Sequence, residues 1–325
     1  MADTGGSPAA DPPLEEEKGD IPVPVLQSHD SIDAPPSLSP YFQAMKDYRY
    51  STHALDLTPA AAGIQPEELG TTDTVRMNKE IKNFSKNSPC ESAAAIYVAM
   101  DAAQTNLMRA LISGPEDTPY AHGLYLFNIA LRGSYPGTPP IVRILTNGEG
   151  KVRFNPNLYS DGYVCLSIIN TWEASPEEMW NGETSSLLQV FLSIQSLVMD
   201  NEVIQKEPGY EDYSVVDAAN AAYTAVVRYN NVKYAMRKLV QSPPAEFQSV
   251  IHRHFALKRA EIAATCEKWV SEAESQSDFS SVDYLVLDHN LHTISKFQQK
   301  GYANRLRKQV DRLRAVLATL PEVLS

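Results

Sequence analysis

From residue 147 to about residue 183 the chain follows neither the period of a helix nor that of a strand, although the apolar residues on both sides are regular. A stretch this long without its own periodicity is uncommon inside a compact domain, and where it occurs it is usually functional. It must be fastened by turns and side chains rather than by a ladder or a helical repeat. Its centre, residues 153–172, reads RFNPNLYSDGYVCLSIINTW. Pro156 fixes φ and removes a donor, so Asn155-Pro156-Asn157 is not the interior of a regular strand. Ser160-Asp161-Gly162 is a strong turn signal, since Gly supplies positive φ and Asp bonds its own backbone. The chain thus turns and brings Asn157 back towards Cys165. A thiol beside a carboxamide suits acyl transfer: the thiolate attacks and holds the acyl group as a thioester, and the amide donates to the developing oxyanion. From the cysteine alone, flanked by Val164, Leu166 and Ile168, the commoner role is that of a small buried hydrophobe.

The flanks carry the fold. Four short apolar runs at 95–101, 106–112, 123–131 and 140–146 are joined by Gly- and Pro-bearing turns and predict a four-stranded antiparallel meander. Tyr125, Phe127, Ile129 and Leu131 alternate onto one face. Before them, Asp73 is a good N-cap for a helix reaching Phe84, with Val75, Ile81 and Phe84 on its apolar side. After the irregular stretch a helix begins near Thr184, with Leu187, Phe191, Ile194 and Val198 in period. Three more helical segments follow, at about 213–241, 244–274 and 282–320. Further upstream, Tyr41, Met45, Tyr48, Thr52 and Leu55 suggest a docking helix over 41–55, and 56–72 reads as a linker. The expected class is α+β. Its parts are a tail at 1–40, a docking helix and linker at 41–72, a core at 73–241 and a C-terminal helical extension at 242–325.

Charge and cysteine usage narrow the function. The net charge is −12, which argues against a nucleic-acid grip. Residues 1–40 hold eight acids, one base and eight prolines, with little large apolar surface, and read as a disordered tail. Cys90, Cys165 and Cys266 are far apart with no CxxC pair, so neither a zinc site nor a disulfide framework is expected. No metal or cofactor is expected. His252 and His254, two apart on a helix, point to different faces and make a poor metal pair. A reducing compartment, cytosol or nucleus, fits best. The N-terminus lacks the basic start and apolar core of a signal peptide, and no apolar run is long enough to span a membrane.

The irregular segment resembles the active-site signature of the ubiquitin-conjugating enzyme family: His-Pro-Asn, eight residues from that Asn to the thioester cysteine, then Leu. Asn155-Pro156-Asn157, Cys165 and Leu166 fill those places, with Asn155 where the family usually has a structural His. GPEDTPYAHGLYLF, YPGTPP and SSLLQVFLSIQSLV resemble the family's loop, meander and following helix. NTWEASPEEMWNGETSSLLQV, KEPGYE and FQSVIHRHFALKRAEIAATCEKWV resemble one branch, that of giant inhibitor-of-apoptosis proteins ending in a conjugating domain. The resemblance implies the ubiquitin-conjugating fold, with Cys165 as thioester nucleophile and Asn157 as oxyanion donor. The partners it implies are ubiquitin, the activating enzyme, substrate lysines, and a ligase or a ligase action of the chain's own. An acid near the cysteine would take the lysine's proton. Ser167 stands two after the cysteine, where Asp is common, and among Asp161, Glu202, Glu207 and Glu211 the place before a proline favours Glu207. Ligases usually meet the family through an apolar residue in the meander loop and a Ser-Pro pair after a tryptophan. Here Gly137 and Asn181-Gly182 stand there, and glycine gives a ligase nothing to bury. The competing class is a non-catalytic ubiquitin-binding variant of the same fold, which would lack the cysteine. A cysteine hydrolase would need a base beside the thiol, and the segment holds no His.

Overall fold

The computed structural model describes residues 39–71, 73–206, 218–275, 285–286, 293–294 and 301–322. The tail at 1–38 and Glu207 and Glu211 lie outside them. Strands β2 (Ile96–Asp101), β3 (Leu107–Ser113), β4 (Leu124–Ala130) and β5 (Ile141–Ile144) form the antiparallel meander that the apolar runs predict. The register pairs Val98 with Ala110, Ala110 with Phe127, and Phe127 with Ile144. The class is α+β. The sheet has a fifth strand that the sequence reading missed. Pro40–Met45 (α1) is a single short helix, and the chain then straightens into β1 (Tyr50–His53), which pairs in parallel with β2. Tyr48 still lies in a 3-10 turn, Lys46–Tyr48, whereas Thr52 shares the helical spacing by coincidence and pairing with β2 overrides it. Residues 56–71 fold into two single turns, Ala60–Ala62 and Pro66–Glu68. Leu57, Ala62 and Ile64 close a small core with Leu107 and Ala130.

The sheet is apolar on both faces because both faces are covered. On the inner face, Ile96, Val98, Met108, Ile112, Tyr125, Phe127 and Ile129 pack with α2 (Thr74–Asn87) and α3 (Leu187–Ser193). Asp73 caps α2, its carboxylate accepting from Val75 N at 2.8 Å and Arg76 N at 3.3 Å. Val75 points out and is exposed, while Met77 and Phe84 take the apolar side. Glu80, almost fully buried, ties the layer together. It pairs with Arg76 at 2.8 Å, accepts from Tyr135 Oη at 2.7 Å and accepts from Leu187 N, the first residue of α3, at 3.2 Å. Ser186 and Gln189 cap α3 reciprocally.

On the outer face, Tyr97, Ala99, Leu111, Leu124 and Leu126 meet the C-terminal helices and α1. The first helix, α4 (Ala218–Asn230), continues through a π-helical stretch, Asn231–Lys238, into α5 (Leu239–Gln241). Then come α6 (Gln248–Leu257), α7 (Arg259–Ser275) and α8 (Tyr302–Leu317). The last helix is shorter than the expected 282–320: Leu285–Val286 and Thr293–Ile294 form a two-stranded ladder instead. Phe247, Ile251, Phe255, Trp269, Leu306 and Leu313 share one core with the sheet. Arg109 on β3 anchors the junction through a 2.5 Å ion pair with Glu246.

Candidate active site

Between β5 and α3 the chain has no strand and only one short 3-10 turn, Ser167–Ile169, and side chains fix its path. It leaves Ile144, turns at Asn147 and reaches Asn155-Pro156-Asn157. Asn155 is fully buried, and both its amide hydrogens and its amide oxygen are engaged. Its amide nitrogen donates to Tyr120 Oη at 3.0 Å and to Val198 O at 2.9 Å, and its amide oxygen accepts from Asn157 N at 2.9 Å. The Asn in the family's His position therefore does a structural job, pinning the segment to the loop before β4 and to the end of the helix after it. Leaving any of these groups unpaired would cost about 1–3 kcal/mol.

The return stroke is a tight loop. Tyr159 N donates to Tyr163 O at 2.9 Å, and Gly162 takes φ +92°, where a Cβ would be strained. Asp161 makes this turn, accepting from Tyr163 N at 2.9 Å. Asn157 and Cys165 then face each other as the sequence predicts. Cys165 N donates to Asn157 O at 2.9 Å, and Asn157 Nδ2 donates to Cys165 O at 2.9 Å. An amide nitrogen has two hydrogens, so one remains for another acceptor. Asn157 Oδ1 is buried with no hydrogen-bond partner among the described residues.

Cys165 is buried, and its Sγ donates to Thr171 O at 3.2 Å. Burial raises its pKa above the ordinary thiol value, partly offset by the Arg153 guanidinium. Arg153 stacks over the Tyr159 ring and donates to Pro156 O at 2.5 Å. The other two thiols are less accessible to ionisation: burial pushes Cys90 up to about 11 and Cys266 up to about 12.

Sequence reasoning missed Thr171. Its hydroxyl accepts from Leu166 N at 2.8 Å and donates to Val164 O at 2.9 Å, clamping the residues on both sides of the cysteine. Asn170, at φ +57°, turns the chain and accepts from Trp180 N at 3.0 Å. The signal was the Asn-Thr pair after an apolar run, since both residue types bond nearby backbone in turns. Trp180 is packed, its Nε1 donating to Pro136 O at 2.7 Å, whereas Trp172 is exposed. Of the candidate proton-accepting acids, Asp161 serves the turn and Glu202 is exposed; Glu207 and Glu211 fall outside the described residues. Away from this segment, Glu116, His122 and Glu261 offer donor atoms within 4.8 Å of one another. The buried Lys258 ammonium lies 3.3 Å from both carboxylates and already supplies their counter-charge.

The turn thus holds Cys165 and Asn157 to each other's backbone, in the places where the chain resembles the conjugating signature. The family model described as "Ubiquitin-conjugating enzyme" matches residues 76–231. The human dual E2 ubiquitin-conjugating enzyme/E3 ubiquitin-protein ligase BIRC6 is 39% identical over 249 residues, 76% of this chain and 5% of its own. The probable ubiquitin-conjugating enzyme protein 17 of Caenorhabditis elegans is 40% identical over 205 residues, 62% of this chain and 28% of its own. The probable ubiquitin-conjugating enzyme E2 R521 of Acanthamoeba polyphaga mimivirus is 41% identical over 200 residues, 61% of this chain and 14% of its own. This chain spans a minor part of each of these relatives. Together with the sheet, the helices and the segment around Cys165, these matches establish that the chain carries, over residues 76–231, a domain of the ubiquitin-conjugating enzyme family.

Proposed function

We propose that the chain is an active ubiquitin-conjugating enzyme with Cys165 as its nucleophile. The Cys165 thiolate attacks the carbonyl of ubiquitin's C-terminal thioester on the activating enzyme. The new C–S bond forms as the old one breaks, and the activating enzyme's thiolate leaves. A lysine amine of the substrate then attacks the Cys165 thioester. An isopeptide bond forms, the lysine gives up its proton, and the Cys165 thiolate leaves. The raised pKa keeps the resting thiol protonated, which the reaction tolerates because the incoming ubiquitin is already activated. Asn157 supplies the oxyanion donor through its remaining amide hydrogen, and Glu207 is the candidate acid that receives the lysine's proton. The observation that carries this reading is the reciprocal backbone bonding of Asn157 and Cys165 at 2.9 Å. A merely structural cysteine has no need of a carboxamide fixed across the turn from it. The alternative, a non-catalytic ubiquitin-binding variant, is disfavoured by the retained thiol.

Substrate selection by the chain itself, rather than by a separate ligase, belongs to the same proposal. Where a ligase would look for apolar anchors, a Cβ on Gly182 would stand 2.5 Å from Pro136 O and 3.3 Å from Gly137 Cα. The two loops close on each other backbone to backbone, with no side chain to bury. The test is to mix the chain with activating enzyme, ATP and a panel of modifiers. Ubiquitin is expected to form an adduct that reductant removes and that free lysine discharges. No adduct with any modifier would refute the reading.

A further inference from the structure

Beside the active segment lies a cleft of about 400 Å³ whose lining includes Arg132, Thr138, Arg143, Tyr163, Asn170 and Thr171. It shares a wall with the nucleophile, because Thr171 is the residue whose carbonyl oxygen receives the Cys165 thiol. It also contains Val164, the residue before the cysteine. In a chain of net charge −12, this cleft is lined by two arginines and no carboxylate.

Arg143 is the informative group. It stands on β5, bridges Tyr163 through the backbone, and stacks its guanidinium over the Tyr163 ring at 5.2 Å. Among the described residues no carboxylate pairs with it, unlike Arg76 or Arg109, and it is half-buried rather than out in water. Stacking on an aromatic face holds the planar fork in one orientation and leaves its edge donors free for a bidentate acceptor. Arg132, at the solvent edge, pairs with Glu68 at 3.1 Å, an exposed contact of the kind that contributes little and yields readily to a competing anion.

We propose that this cleft is an acceptor subsite that reads a carboxylate, so that the enzyme prefers substrate lysines with an Asp or Glu two to four residues away in an extended segment. The inference rests on Cys165 carrying the ubiquitin. In this proposal a lysine reaches Cys165 over the shared wall at Thr171, and an extended chain advances about 3.3 Å per residue, which brings the neighbouring side chains over the cleft. A carboxylate there meets the Arg143 fork without displacing a resident acid. The pairing is charge-assisted and planar, the geometry in which arginine discriminates best.

The experiment uses the full chain and pairs of acceptor peptides, each with one lysine, that differ only in Glu against Gln two, three or four residues from it. Wild-type chain charged with ubiquitin is chased with each peptide below saturation. The Glu peptide at the best spacing is expected to react roughly five- to tenfold faster than its Gln twin, and the ratio to shrink as salt rises. The ratio is expected to fall to about one in Arg143→Gln and below one in Arg143→Glu. Because each ratio is internal to one protein, a general loss of activity in a variant does not affect it. A wild-type ratio of one at every spacing would overturn the proposal, as would an unchanged ratio in Arg143→Gln. Fluorescence anisotropy of the labelled peptides on the uncharged chain gives a second reading. The Glu peptide is expected to bind more tightly than the Gln peptide, and equal binding would overturn the subsite. If no ubiquitin adduct forms at all, the catalytic reading falls while this titration still decides the cleft.

Discussion

The active segment and the C-terminal helices are held by opposite means. Around Cys165 the path of the backbone is set by single polar bonds of defined length, from Asn155, Asn157 and Thr171 among others. In the helices over the outer sheet face, position follows from area: Phe247, Ile251, Phe255, Trp269 and Leu313 bury apolar surface in one continuous core. The two designs predict different failures. Removing one atom in the segment should change chemistry more than stability. Removing a ring from the helical core should change stability and leave the chemistry of the surviving folded molecules alone.

The largest expected effect is on the helical side. Phe255 is fully buried, and Phe255→Ala is expected to cost about 3–5 kcal/mol of stability, read as a lower urea midpoint. Charging by the fraction that remains folded should be unchanged, and a loss of charging per folded molecule would erase the distinction between the regions. Next comes Asn157→Ala, expected to slow discharge to lysine by about 10²–10³ while charging is less affected. Equal loss in both single-turnover steps would assign Asn157 a structural role. The third effect separates the regions by pH. His122 and His254 belong to the outer layer and are buried, and burial pushes them down to about 4 and about 3, with the Lys258 charge acting the same way. His254 is held neutral between Tyr41 Oη at 2.6 Å and His122 O at 3.4 Å. An unfolded histidine titrates at about 6.5, so the unfolded chain takes up protons that the folded chain refuses. The stabilisation is whole above pH 6.5 and is lost as pH falls towards 4, by about 2 kcal/mol for each histidine at pH 5. A urea midpoint that stays flat from pH 7.5 to 5 would contradict it. The smallest effect is Thr171→Val, which deletes the clamp at Leu166 and Val164 at a cost of about 1–3 kcal/mol. Its mark should be a slower reaction at Cys165 per folded molecule, beside a fall in melting temperature of a few degrees.

The same division explains what could be read from the sequence. The meander was legible because apolar runs such as IYVAMD and LYLFNIA can only be strands between short turns, and Asp73 announced its helix by capping chemistry. The facing of Asn157 and Cys165 was legible because Gly162 and Asp161 dictate a local turn. The strand at Tyr50–His53 was not, because its parallel partner lies across an intervening helix and no local pattern encodes that pairing. For Thr171 the Asn-Thr pair signalled a turn, but nothing local encodes that its one hydroxyl bonds three backbone groups on both sides of the cysteine. The missing polar alternation in β2 and β4 was a signal left unused. Strands buried on both faces demand a second covering layer, and the C-terminal helices supply it.

The central claim is that the segment's polar bonds set one of three buried thiols apart as the carrier of ubiquitin. The direct measurement is single-turnover charging of Cys90→Ala, Cys165→Ala and Cys266→Ala side by side with the wild type, resolved with and without reductant. The account predicts that only Cys165→Ala fails to form the reductant-sensitive adduct, and that Cys165→Ser forms a reductant-resistant one. An adduct that survives Cys165→Ala, or that disappears with Cys90→Ala or Cys266→Ala in a folded chain, would contradict it.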